Sequence, residues 1–315
     1  MKSIINNIRP SVFDEYIGQE KIINNLKVYI DAAKIRNSKL DHMILHGNSG
    51  LGKTSLAYLI AKQLNKKIYI LNGPTLQKAS EIISPLTSLK EGDILFIDEI
   101  HAVSKDVYEI LYPVLEDNQL NLIIGKEYNS KIVNIKLPNF TLIVATTELN
   151  RLSDPFINRF AINFDFQNYT KPEISQILTL NVIKMNLNLS VEVIEYLSGF
   201  CKLNPRICIN LLKRINDYII SQKPKKITIK YITNVLNNLN IYQYGLNLQD
   251  INYLKLISKH KYIGLDTIRQ ILNISTATIL NIIEPNLISN ELITKTVRGR
   301  TITKKGVDLL KTCDV

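Results

Sequence analysis

The stretch His46-Gly47-Asn48-Ser49-Gly50-Leu51-Gly52-Lys53-Thr54-Ser55 decides the fold class. A short apolar run, Met43-Ile44-Leu45, precedes it, and apolar residues at Leu56, Leu59, Ile60 and Leu64 follow at helical spacing. Strand, glycine-rich turn and helix in that order fit Gly-x4-Gly-Lys-Thr. Its glycines let the backbone fold tightly and point several N–H groups at one anion. The occupant this implies is a polyphosphate. The helix beginning near Lys53 adds the positive end of its dipole, Lys53 supplies a full charge toward the outer phosphates, and the Thr54 hydroxyl suits Mg²⁺. A glycine turn that binds nothing remains the alternative for the pattern alone.

Downstream, Ile94-Leu95-Phe96-Ile97-Asp98-Glu99 reads as a strand buried on both faces of a parallel sheet and ending in two carboxylates. The C-terminal ends of such strands are where open α/β sheets bind ligands. Beside a phosphate loop, Asp98 is expected in the Mg²⁺ shell and Glu99 as the group that polarises the attacking water. A solvated acidic pair is the plainer reading of the same run.

Composition limits the classes open to the chain. At 315 residues it has room for two or three domains, and 45% of its residues are hydrophobic. No apolar run approaches the roughly eighteen residues needed to cross a bilayer. Met1-Lys2-Ser3-Ile4-Ile5-Asn6 lacks the layout of a signal peptide, so a cytoplasmic location with no membrane association is expected. Cys201, Cys208 and Cys313 form neither a disulfide framework nor a metal pattern, and the four histidines are scattered, so no zinc site is expected. The net charge of +11 is unevenly placed. Residues 1–170 carry 19 basic and 18 acidic groups, residues 171–242 carry 10 and 4, and residues 243–315 carry 10 and 6. A basic C-terminal half joined to a neutral nucleotide-binding half suggests polyanion binding, against a composition that merely drifts basic. With nine arginines against 30 lysines, each arginine is a candidate for a role needing the planar fork.

Along the chain, Arg9-Pro10 disfavours helix, and a helix then runs to about Ala33 with Ile22, Leu26, Tyr29 and Ile30 on one face. Lys67-Ile68-Tyr69-Ile70-Leu71 is read as a second strand that closes a right-handed βαβ unit with the first. Helices are expected at about 75–90 and 104–116. Strands at about 119–124 and 131–137, joined through Gly125, read as a hairpin. Phe140-Thr141-Leu142-Ile143-Val144-Ala145 is another buried strand, closed by Thr146-Thr147. Arg159, after Asp154-Pro155, is either a helix-end charge or an arginine finger. From Lys171 the pattern is wholly helical (172–186, 190–200, 205–220, 228–239). Arg206 falls in a first turn, where a cation opposes the dipole, which suggests a nearby anion. The tail continues with helices at about 249–259, 265–272 and 275–284. Two short strands around Arg298-Gly299-Arg300 then form a wing, in a stretch from Leu292 to Val307 with five basic side chains and no acidic one.

In that order and at that spacing, Gly47 to Thr54, Leu95 to His101, Leu111-Tyr112-Pro113-Val114-Leu115-Glu116-Asp117, Ala145-Thr146-Thr147, Asn204-Pro205-Arg206-Ile207 and Val297-Arg298-Gly299-Arg300 resemble the bacterial RuvB family. These are AAA+ motors that drive branch migration of Holliday junctions in recombination and repair. The resemblance implies an α/β AAA+ P-loop ATPase domain (1–170), with a parallel sheet and flanking helices. A small helical lid (171–242) and a C-terminal winged-helix head (243–315) would follow. By position it implies an ATP site made by Ile8, Arg9, Ile17, Gly50, Gly52, Lys53, Thr54, Ser55, Tyr169 and Arg206, with Mg²⁺ on Thr54 and Asp98. Glu99 would activate water, Thr146 or Thr147 would be the first sensor and Arg206 the second. Arg159 would act on ATP of a neighbouring subunit in a homo-hexamer. Residues 119–137 match the element that docks on the junction-binding protein RuvA, with a RuvC-type resolvase as a further partner. Lys295, Arg298 and Arg300 match the DNA-contacting wing.

This chain departs from the family where Asn48 and Ser49 replace prolines, Ile157 an arginine, Ala161 a glycine and Lys295 an arginine. Two rival readings stay open. One is another AAA+ DNA machine, a clamp-loader subunit or a replication initiator. The other is a non-hydrolysing DNA-binding scaffold.

Overall fold

The computed structural model describes residues 8–124 and 131–312, and the chain divides into two compact units, Met1–Tyr169 and Thr170–Val315. In the first unit the strands are β1 (Met43–His46), β2 (Ile68–Asn72), β3 (Ile94–Asp98), β4 (Gln119–Ile124), β5 (Lys131–Lys136), β6 (Thr141–Thr146) and β7 (Ile162–Asp165). Its helices are α1 (Glu20–Ile35), α2 (Lys53–Leu64), α3 (Ala79–Thr87), α4 (Lys105–Asp117) and the short α5 (Asp154–Ile157).

Five strands form one parallel sheet in the order β2-β3-β6-β1-β7. The apolar runs explain the centre. Met43 to Leu45, Ile94 to Ile97 and Leu142 to Ala145 are all fully buried, as strands covered on both faces must be. β1 and β2 are not neighbours, because β3 and β6 lie between them, so the crossover through α2 spans two intervening strands. That corrects the simple βαβ unit expected from the sequence. The run Ile162-Asn163-Phe164-Asp165 gives a strand that the sequence reading did not anticipate. It alternates buried and exposed, as an edge strand does, and pairs with β1. Phe164 stacks on Tyr29 of α1, with ring centroids 6.4 Å apart.

β4 and β5 form a separate antiparallel hairpin, registered from Gln119 opposite Lys136 to Ile124 opposite Lys131. The expected connection through Gly125 lies outside the described residues. Buried Leu120 and half-buried Leu122 and Ile135 pack the base of the hairpin on the core of the unit.

In the second unit, α6 (Lys171–Lys184), α7 (Val191–Ser198), α8 (Pro205–Gln222) and α9 (Ile229–Asn238) form a helical cluster. Their starts are written in capping residues: the side chains of Thr170, Asn204 and Thr228 each accept a first-turn N–H. α10 (Leu248–Ser258), α11 (Leu265–Leu272), α12 (Thr276–Thr278), α13 (Glu284–Ser289), the hairpin of β8 (Ile293–Thr296) and β9 (Gly299–Ile302), and α14 (Lys304–Thr312) surround another core. A wide turn at Ile279–Ile283 links α12 to α13, just ahead of Pro285, whose missing N–H cannot continue an α-helical ladder. Among the described residues no single helix is long and apolar enough to cross a membrane.

One buried polar group of the first unit makes stability depend on pH. The Leu142 N–H donates to His42 Nδ1 at 2.8 Å. Burial, with the Lys39 charge adding to it, pushes the ring from 6.5 down to about 3. Between those values the folded state binds fewer protons than the unfolded chain. The contribution is therefore full above pH 6.5 and is lost as pH falls toward 3. The unfolding free energy of the wild type should fall more steeply than that of His42→Asn between about pH 7 and pH 5. Parallel profiles would contradict this role for His42.

Candidate nucleotide site and basic hairpin

The loop after β1 is built on left-handed backbone. Gly47, Gly50 and Gly52 have φ of 131°, 85° and 105°, values that L side chains rarely adopt. Gly52 is the N-cap of the twelve-residue α2 and provides no capping side chain. The first-turn N–H groups therefore face the loop, as an anion cradle requires. Lys53 is buried, and its Nζ donates to the carbonyls of Gly47 at 2.6 Å and Asn48 at 2.9 Å, which keeps the ammonium over the loop. Two phenols brace the far side: Tyr16 Oη donates to Gly52 O at 3.2 Å and Tyr169 Oη to Leu51 O at 3.1 Å. A Cβ on Gly52 would stand 2.5 Å from Tyr16 Oη, so the brace also requires glycine there. Burial, then the neighbouring Tyr169, holds the Tyr16 phenol well above its usual value, so it stays a donor. Thr54 and Ser55 follow in the first turn of α2, and Gly50 lies within the loop.

Thr54 Oγ1 donates to Asp98 Oδ2 at 3.0 Å, which joins the first turn of α2 to the end of β3. A hydroxyl and a carboxylate side by side make an oxygen donor pair of the kind Mg²⁺ takes, so these residues fit the cation. At Glu99 the backbone turns left-handed, φ 52° and ψ 50°, an uncommon conformation for glutamate. Thr147 Oγ1 donates to Glu99 Oε2 at 3.2 Å, and His101 Nδ1 lies 3.4 Å from the same oxygen. His101 Nδ1 is also 2.9 Å from the buried Thr146 Oγ1, and its Nε2 is 3.4 Å from Glu148 Oε1. The two threonines thus divide: Thr147 touches the carboxylate, and Thr146 touches the imidazole that touches it.

His101 and Gly73 were not singled out from the sequence as site residues. His101 had a signal in the spacing Asp98-Glu99-x-His101. Gly73 had none, because its constraint comes from β2 lying beside β3. A Cβ at Gly73 would overlap the carbonyl oxygen of Glu99.

Arg159 lies at the end of α5. Its Nη2 is 2.6 Å from Glu116 Oε1, Nη1 donates to Pro155 O, and the guanidinium is 4.6 Å from the centroid of the Tyr112 ring. Its Nε is buried and has no hydrogen-bond partner among the described residues. Ile157 packs on the core of the unit. Ile8 is buried and Ile17 half-buried, while Arg9 lies 4.2 Å from the centroid of the Tyr58 ring, on α2.

In the second unit, Arg206 is exposed in the first turn of α8, where Asn204 Oδ1 accepts its backbone N–H at 3.0 Å. On the β8–β9 hairpin the three basic residues differ. Lys295 and Arg300 both reach the fully buried Glu284, whereas Arg298 is exposed at the turn. The Glu284 side chain at the head of α13 was not anticipated as part of this surface.

Comparisons with known proteins bear on these observations. A family model described as the Holliday junction DNA helicase RuvB P-loop domain matches residues 8–166, and one described as the RuvB C-terminal winged helix domain matches residues 243–311. The Holliday junction branch migration complex subunit RuvB of Mycoplasmopsis pulmonis is 41% identical over 307 residues, covering 96% of this chain and 98% of that protein. Its counterpart in Nitratiruptor sp. is 42% identical over 311 residues, covering 98% and 93%. The solved structure of the Thermotoga maritima RuvB Holliday junction branch migration motor is 34% identical, with a TM-score of 0.80 and coverage of 97% of this chain and 98% of that one.

Gly73→Ala should leave nucleotide affinity near wild type and lower ATP turnover about 10²-fold, because the intruding methyl displaces the backbone of Glu99 by a fraction of an ångström or more. Wild-type turnover in that variant would show that the Glu99 geometry is not decisive.

Proposed function

The chain belongs to the RuvB family, and on that premise we propose that it is an ATP hydrolase. It drives duplex DNA through Holliday junctions as a ring motor, in company with a RuvA-type junction-binding protein. The observation that carries this reading is a single sheet edge in the first unit. There the phosphate loop, the Thr54–Asp98 pair and Glu99 with its two side-chain partners converge. The division into an ATPase domain (1–170), a helical lid (171–242) and a winged-helix head (243–315) is part of the same proposal.

The chemistry follows from the groups present. The loop N–H groups and Lys53 bind and orient the phosphates, and Ile8, Arg9, Ile17 and Tyr169 border the base. Thr54 and Asp98 would hold Mg²⁺, which would supply charge neutralisation to the phosphates. Glu99 orients the attacking water and takes its proton, and Thr147 and His101 hold that carboxylate at one oxygen. Thr146 works as the first sensor through His101, and Arg206 as the second. Phosphoryl transfer asks for little more than such positioning and charge.

Arg159 is the finger for a neighbouring subunit's ATP, which makes a homo-hexamer the working form. Its contacts with Glu116 and Tyr112 give it a defined resting place. The hairpin of β4 and β5 docks the RuvA-type partner, and a RuvC-type resolvase joins the same assembly. The basic hairpin at Lys295, Arg298 and Arg300 meets DNA through phosphates, which position a protein without reading sequence.

ATPase rate per subunit should rise with protein concentration and with junction DNA plus the RuvA-type partner, and should rise in neither case for Arg159→Ala. Removal of such a finger costs roughly 10³–10⁵ in rate in other systems. A rate independent of concentration, with Arg159→Ala unchanged, would make Arg159 a helix-end charge. Stimulation by a sliding clamp instead of a junction would favour a clamp-loader subunit.

A further inference from the structure

The segment from Asn240 to Asn247 joins α9 to α10 through a hook of left-handed backbone. Tyr244 and Gly245 have φ of 62° and 68° in succession, and for a tyrosine that is a strained conformation. The hook closes on itself where the Tyr242 N–H donates to Leu246 O at 2.8 Å. Tyr242 and Leu246 are buried in the core built around α10, and Asn286 Nδ2 of α13 donates to Tyr244 O at 3.3 Å. On its other side the hook is seated on the turn between α7 and α8. The Tyr244 N–H donates to Gly199 O at 2.9 Å, and a Cβ on Gly245 would stand 2.6 Å from Lys202 Cγ and 2.7 Å from Phe200 O. Only glycine lets the two segments approach so closely.

The turn between α7 and α8 is held in the same unusual way. Lys202 and Leu203 have φ of 49° and 50°, two non-glycine residues in a row in left-handed backbone, which persists only where the surroundings over-determine it. Lys202 supplies one such restraint. Its Nζ lies 3.3 Å from Oδ2 of Asp250, a residue in the first turn of α10 whose side chain is 1% exposed. The same oxygen accepts the Asn247 N–H at 3.0 Å. A buried ion pair adds little net stability yet is costly to break by halves, so this one fixes a geometry more than it holds the fold together. From Lys202 the bracing runs on to the start of α8. The Asn204 N–H donates to Cys201 O at 2.9 Å, and Asn204 Oδ1 accepts the N–H groups of Arg206 and Ile207 at 3.0 and 3.4 Å. Arg206 thus stands on a braced turn whose other end is tied to α10.

We propose that Lys202 is a positioning residue that, through Asp250 and the hook, joins the turn carrying Arg206 to α10, so that turn and helix shift as one piece when nucleotide binds. The proposal rests on the reading of Arg206 as a nucleotide sensor and of residues 243–315 as the DNA-binding head. It deepens that reading by naming the contact through which the two sites act on each other. Energetic coupling of this kind needs an element that both ligands bias, and here that element is the paired turns.

The test uses the full chain, a non-hydrolysable ATP analogue and a blunt duplex of mixed sequence, with thermal unfolding measured alongside. The ratio of analogue affinities with and without saturating duplex reports the coupling, and in the wild type it should differ from one by about fivefold or more. Lys202→Met alone leaves Asp250 buried without its cation and should lower the melting temperature. Lys202→Met combined with Asp250→Asn removes both charges and should recover most of that loss, with analogue affinity in the absence of duplex near wild type, yet its ratio should fall to about one. Lys202→Arg should keep the wild-type ratio. A double variant that keeps the wild-type ratio would overturn the role given to Lys202. A second measurement needs no variant: hydrogen exchange of the Asn204 and Tyr244 amides should be slowed together by the analogue, as within one cooperative unit. Slowing at Asn204 alone would overturn the proposal. A wild-type ratio of one, or an Arg206→Ala variant with unchanged analogue affinity, would instead overturn the reading beneath it, and the proposal with it.

Discussion

All five strands of the main sheet run in one direction, and that parallel alignment is the constraint from which the site follows. Their C-terminal ends share one edge. His46 of β1 is opposite Thr146 of β6 on one side and Asp165 of β7 on the other, and Asn72 of β2 is opposite Asp98 of β3. The glycine-rich loop leaves β1, the Asp98 and Glu99 carboxylates stand at the end of β3, and the Thr146 and Thr147 hydroxyls at the end of β6. Three stretches far apart in sequence thus meet because three buried apolar runs must lie side by side. The hydrophobic burial of strands that carry no chemistry places the residues that do.

Strain is stored where that edge is most crowded. Glu99 sits in left-handed backbone, a conformation that persists only when its surroundings hold it. Here the restraints are Thr147 and His101 on its carboxylate and, on its carbonyl side, a neighbouring turn that only glycine at position 73 permits. A similar economy operates on the basic hairpin, where a buried carboxylate aligns two cations that would otherwise repel.

Elements with a strong local signature were legible in the sequence. The glycines and Lys53 announce the loop, the unbroken apolar runs announce the central strands, and Asn204-Pro205 announces a helix start. What was hidden depends on contacts between distant segments. β7 is only four residues long and takes its place from β1. The separation of β1 from β2 is set by which buried strand packs beside which, and short-range periodicity does not encode that order. The need for glycine at position 73 comes from β3, and the attachment of Arg300 comes from a glutamate sixteen residues earlier that reads as an ordinary helix start. Arg159 could be read in two ways from its spacing. Its contacts with Glu116 and Tyr112 define where the side chain rests in the single chain, and a single chain does not choose between the two readings.

The account stands most directly on the Thr54–Asp98 contact that closes the loop onto β3. A double-mutant cycle on nucleotide affinity, with Thr54→Ala, Asp98→Asn and the combined variant each titrated with ATP in the presence and absence of Mg²⁺, measures whether those two residues serve one ion. The account predicts that each single change removes the Mg²⁺-dependent part of the affinity and that the second change adds little, a coupling on the order of 1 kcal/mol or more. Losses that simply add, or affinities whose Mg²⁺ dependence survives both changes, would contradict a shared metal position at the end of β3.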